Sequence, residues 1–151
     1  MNSAIMAFLH HLAAFTLTGT LIYELIAFRK DLTLAEARRL QRVDIAYGIS
    51  AAVVLIVGLL RVFYFEKGAS YYAHNLFFWT KMVAFALVGL LSIHPTIRFI
   101  AWIKFLAKNE PPQMTDQEVA RIKLLIRLEL VCIAIIILSA AMMARGVGMI
   151  A

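Results

Sequence analysis

The chain has 151 residues, enough for a single domain. It is 63% apolar, with a mean hydropathy of +0.85. Soluble domains sit nearer half apolar, and long apolar runs mark membrane proteins. The net charge of +6 could suggest a nucleic-acid partner, but the basic residues collect between apolar runs, which excludes that reading.

A bilayer span needs about 20 mostly apolar residues. Four segments qualify: about 4–28, 45–65, 76–102 and 124–144. The expectation is an all-α integral membrane four-helix bundle that occupies 1–151 as one domain, with the lipid bilayer as its surroundings. No nucleotide-binding loop, HExxH zinc signature or nucleophile elbow occurs, so hydrolase chemistry of the soluble type is not supported.

The first segment contains "FLHHLAAFTLTGTLIYELIAF", with His10, His11 and Glu24 in it. An ionisable group at a helix centre costs roughly 2.5–3.5 kcal/mol on insertion scales, so each needs a reason. Met1, Asn2 and Ser3 lack the basic residues that open a secretory signal, and the first helix is expected to stay. His10 and Glu24 are fourteen residues apart. That is close to four turns, so they share a face about 21 Å apart along the axis. His11 points roughly 100° away.

The first loop holds Arg29, Lys30, Arg38, Arg39 and Arg42. Its "DLTLAEARRLQRVD" predicts a short helix over about 33–43, with Thr33 and Glu36 as a capping box. The apolar face of Leu34, Ala37 and Leu40 would lay it on the inner membrane surface. Asp44 then opens the second span. Gly48, Ala51, Ala52 and Gly58 give that span a small-residue surface suited to close helix packing.

The second loop is less basic, with Lys67 and the flanking Arg61. Phe77, Phe78 and Trp79 at the start of the third span suit an outer aromatic belt, and Trp102 at its end an inner one. The third loop returns to basic residues, with Lys104, Lys108, Arg121 and Lys123. Thr115 and Glu118 form a second capping-box pattern. Cytoplasmic loops collect Lys and Arg, so loops one and three are expected inside and both termini on the outer, periplasmic side of a bacterial inner membrane.

Depth then sorts the polar groups into two layers. His10, Arg61 and Lys81, with His74 as a further candidate, fall in the outer half. Glu24, Asp44, His94, Arg98 and Glu129 fall in the inner half. His10 and His94 differ in depth by roughly 10–18 Å on the helical rise, too far to ligate one metal together. Glu129 would pair with a basic residue near the inner surface. Cys132 reads as a small hydrophobe, since the chain has no CxxCH motif and no disulfide framework.

The segments "HHLAAFTL", "ARRLQRVDIAYGISAAVVLIVGLLRVFYFEKG", "FFWTKMVAFALVGLLSIHPT" and "MMARGVG" resemble an uncharacterised bacterial family of four-helix membrane proteins over nearly the full length. A more distant likeness is to HemJ-type protoporphyrinogen oxidases and CopD-like membrane proteins. HemJ-type proteins have a His early in the first helix, where His10 stands. They also have a Trp and a Lys opening the third helix and a His near its inner end, where Trp79, Lys81 and His94 look similar. Their Pro-Arg and Tyr-His elements after the first span are replaced here by Glu24 and Phe28-Arg29-Lys30.

Histidines within spans, with Arg61 and Lys81 at a depth to meet propionates, point to haem b and a haem-dependent membrane oxidoreductase that moves electrons, and the HemJ resemblance likewise implies haem b. His10 and then His94 would be the metal ligands. Glu24, Lys81 and Glu129 are the candidate catalytic groups, and a quinone or porphyrin the candidate small-molecule partner. Neutral imidazole is a good axial ligand, and a helix bundle is a usual host for such cofactors. A homo-oligomer or an accessory subunit of a larger membrane complex is the alternative. A small transporter using Glu24 and Glu129 is the third.

Overall fold

The computed structural model describes residues 2–65 and 68–150. Lys67, counted in the second loop, lies outside them. Four helices are long and apolar enough to cross a membrane. α1 is Asn2–Ala27. α2 is Leu34–Leu60, continued by a π turn over Arg61–Phe65. A short α3, Ala69–Ala73, leads to α4, Leu76–Ala101. Another short helix, α5, covers Ile103–Ala107, and α6, Asp116–Ala144, closes the bundle.

Thr33 and Glu36 form the expected capping box, with both reciprocal bonds present. The helix it starts does not stop near residue 43. The expected surface helix and the second span are one continuous helix, because nothing between Arg42 and Ile45 breaks the backbone ladder. Asp44 is therefore well inside α2 rather than at its start.

The second pattern forms only half a box. Thr115 Oγ1 accepts the Glu118 N–H at 3.2 Å, but the Glu118 carboxylate accepts from Arg98 of α4 at 2.5 Å. In the loop between α1 and α2, Lys30 meets Asp116 at 2.8 Å, and that carboxylate raises the Lys30 ammonium above its ordinary range.

α1 packs along α2, and α4 along α6. α1 also touches α6, whereas α2 and α4 meet only sparsely. The buried core is a column of Leu17, Leu21, Leu40, Val88, Ile126 and Ile133, among others. Cys132 packs half-buried against it. Phe15, Ile26, Ile56, Ile97 and Leu138 stand on the outside. Apolar side chains facing outward on every long helix suit hydrocarbon rather than water.

Phe28, Phe99 and Trp102 form an aromatic knot at the end with the basic loops, the Phe28 and Trp102 rings stacked with centroids 6.1 Å apart. Trp102 is 2% exposed, so it belongs to the core and not to a lipid-facing belt. Sequence depth alone gave it no direction. Trp79 is exposed, and its Nε1 donates to the Ala73 carbonyl.

The opposite end gathers both ends of the described chain. Ser3 Oγ donates to the Phe65 carbonyl, and Asn75 forms an antiparallel bridge with Met149. Asn75 caps α4 through its Oδ1, which accepts the Phe77 and Phe78 N–H groups. Its Nδ2 donates to the Val147 carbonyl.

Candidate functional site

Three carboxylates from three helices converge inside the bundle. Glu24 comes from α1, Asp44 from α2 and Glu129 from α6. They are 2%, 6% and 1% exposed. Their helical positions explain the convergence: Glu24 lies one turn beyond buried Leu21 on α1, and Glu129 lies on the buried Ile122–Ile126–Ile133 stripe of α6.

Each acid has a different shell. Tyr47 donates its hydroxyl to Glu129 Oε2 at 2.6 Å. Thr96 donates to Asp44 Oδ1 at 2.8 Å. Glu24 makes no hydrogen bond with its side chain among the described residues, and its Oε1 is buried without a partner. Glu129 Oε1 is buried and unpartnered as well. The charges close enough to act on Glu24 are Asp44 and Glu129, and the charge acting on Glu129 is Asp44. No cation counters this centre among the described residues. The expected basic partner of Glu129 is replaced by Tyr47, which is neutral and comes from α2 rather than a loop.

The second cluster is basic and lies toward the other end of α1. His10 is 9% exposed, and Lys81 and Arg61 both act on it electrostatically. The imidazole leans on α2 beside the Val54 backbone. A Cβ built on Gly58 would stand 3.1 Å from His10 Cε1, so glycine is what lets the ring approach. His10 Nδ1 is buried without a hydrogen-bond partner. His10, Arg61 and Lys81 are thus brought together as the depth count expected.

His11 points away from the cluster, as its offset on α1 predicts: it is exposed, its ring edge-on to His10 with centroids 6.1 Å apart. The other polar groups that depth placed do not join. His74 is exposed and bonds the Ser70 carbonyl. His94 is half-buried on α4 and has no hydrogen bond or ion pair among the described residues. Arg98 is engaged by Glu118. Among the described residues no three His, Cys, Asp or Glu side chains stand close enough to hold a metal ion. The small-residue surface of α2 also divides: Gly58 faces His10 of its own chain, while Gly48 has open space beside it.

Two cavities stand out. One, of about 640 Å³, is shallow and lies among the loops, lined by Lys30, Asp31, Phe105 and Glu110. The other, of about 370 Å³, is a groove between α2 and α4 that no sequence pattern announced. Asp44, Tyr47, Ser92 and Thr96 face it. Its rim includes Ile45, Ile93 and Ile100, all exposed on the outside of the bundle.

The fold and these buried polar centres define an all-α integral membrane protein with four spanning helices. The chain belongs to the family described as "Predicted membrane protein (DUF2214)", whose model matches residues 2–148. That agrees with the full-length resemblance read from the sequence; the likeness to HemJ-type and CopD-like proteins receives no such match. No curated protein and no solved structure matches the chain.

Proposed function

We propose that this protein binds and releases protons inside the membrane, at a centre made by Glu24, Asp44 and Glu129, as a small transport or coupling protein. The observation that carries the reading is the pair of orphaned oxygens on Glu24 and Glu129, in a centre without a countercharge. Bare charges taken out of water cost several kcal/mol each unless paired. Three carboxylates from three helices therefore keep company with protons or an exchangeable cation. Ionisable groups at such depth mark ion pathways and proton relays. Tyr47 supplies a hydroxyl that hands a hydrogen bond to one of the acids.

A proton count tests this. Purified protein in lipid nanodiscs is titrated against a pH-indicator dye, with empty discs subtracted. The wild type should take up more protons across the titration than the Glu24→Gln/Glu129→Gln double variant. Equal uptake by folded samples of the two would overturn the reading.

A second reading keeps haem b and electron transfer. The observation in its favour is the buried, unpartnered Nδ1 of His10 with Lys81 and Arg61 beside it. Gly58 lets the Cε1–Nδ1 edge of the ring approach α2, so a ligand at Nδ1 would have to enter between His10 and α2, and the basic pair would meet its carboxylates. Bound haem would supply one-electron chemistry. Expression with added haem, followed by oxidised and reduced spectra, should give a Soret band that His10→Ala removes. No band in the wild type would end this reading.

A further inference from the structure

We propose that the groove between α2 and α4 binds a lipid-soluble organic cation, a molecule with one positive charge on an apolar body, and that Asp44 is its counterion. The inference deepens the proton-binding reading and rests on it. It names what exchanges with the proton.

Charge complementarity argues for this occupant. Asp44 is the acid of the centre that faces the groove, and Glu24 behind it is close enough to interact with it electrostatically. The centre carries no cation of its own among the described residues, and two of its oxygens lack partners. A neutral guest cannot take the place of a proton in such a centre, whereas a cation can.

The walls suit the rest of such a molecule. Tyr47 and Phe85 both line the groove, and aromatic faces attract cations. Gly48, Ala51 and Gly89 keep its floor low, and a Cβ on either glycine would meet nothing within 4 Å. The exposed rim residues Ile45, Ile93 and Ile100 lie within the long apolar helices. The entrance therefore opens toward lipid, where a lipophilic cation partitions and an inorganic ion does not.

Exchange follows from the centre's chemistry. A carboxylic acid of the centre releases its proton to water as the cation arrives, so the total charge of the site is unchanged. The titratable groups that interact with Asp44 are Glu24 from α1 and Glu129 from α6; Tyr47 of α2 lines the same groove, and α4 presents the Thr96 hydroxyl.

The probe is tetraphenylphosphonium, which is permanently charged, with triphenylphosphine oxide as a neutral relative. Both are titrated into the full protein in nanodiscs, with empty discs subtracted. The expected result is saturable binding of the cation, little binding of the neutral compound, and proton release on binding. Asp44→Asn should weaken cation binding by about tenfold or more, since losing one partner of a buried charge pair costs more than the 1.4 kcal/mol that a factor of ten represents. Asp44→Glu should recover part of it. Gly89→Leu fills the groove from α4, where no acid lies within a turn of it, and should weaken binding while leaving the dye-measured proton count intact. Equal binding of the two compounds, or cation binding that Gly89→Leu and Asp44→Asn both leave unchanged, would overturn the proposal. A normal proton count with no cation binding would overturn the groove assignment alone; loss of both would overturn the proton reading too.

Discussion

Tyr47 shows how much one side chain can matter in this interior. Its hydroxyl is the one hydrogen-bond donor to Glu129 among the described residues. Tyr47→Phe removes that donor and leaves a second buried oxygen unmet, a loss of roughly 1–3 kcal/mol. Thermal unfolding in detergent should show a lowered midpoint, and Glu129→Gln should restore part of it, because an amide needs less from its surroundings than a carboxylate. Gly58 is the complementary case. Gly58→Ala places a methyl 3.1 Å from the His10 ring, a contact that a slight shift of the imidazole relieves. Gly58→Leu cannot be relieved that way and should displace His10 from α2, which an altered His10 imidazole resonance in NMR would report. Neither residue's partner could be read from sequence. The Tyr47–Glu129 bond joins positions 82 residues apart, and periodicity assigns a face without naming what the face meets.

At the scale of elements, the caps are local and were legible. Thr33 and Glu36 three residues apart suffice to start α2. Asn75 was not legible. It is fully buried, caps α4 and ties down the segment after α6, and no pattern of neighbours announces a side chain that serves two elements at once. Asn75→Ala should cost at least the roughly 1 kcal/mol of a lost N-cap, with faster proteolysis of the C-terminal segment as a second readout. Gly148 explains part of the "MMARGVG" segment. Its φ is +87°, and a Cβ there would collide with the Phe77 ring. Gly148→Ala should therefore loosen the same junction, detectable as faster amide exchange at Leu76, whose N–H bonds the Gly148 carbonyl at 2.8 Å. The continuity of α2 escaped the sequence reading for a related reason. An amphipathic stretch followed by an apolar one changes character at about residue 44, but a change of surroundings does not end a helix when no Pro, Gly or cap intervenes.

For the whole molecule, four apolar runs were enough to state the architecture, because each is long enough to span and too apolar to do otherwise. Counting depth also grouped the polar residues well. His10, Arg61 and Lys81 do meet, as do Glu24, Asp44 and Glu129. His94 and Arg98 were placed by the same count and do not join, since depth carries no information about rotation around the α4 axis. The sparse contact between α2 and α4 is a property of the assembled bundle, so the groove was invisible before it. The basic loops predict an orientation as well. Cysteines introduced at Asn2 and Ile150 should react with an impermeant thiol reagent from the outer side in a Cys132→Ser background, and one at Asn109 should not; the reverse pattern would invert the proposed topology.

Proton exchange by carboxyl groups in the bundle interior is addressed directly by infrared difference spectroscopy of the protein in lipid. Titrated between acid and alkaline buffers, the wild type should show carboxylic C=O bands that shift on deuteration. Glu24→Gln and Glu129→Gln should each remove a different part of that signal. A spectrum in which no carboxylic band responds to pH, or one that both variants leave unaltered, would contradict the acid centre as a site of proton exchange.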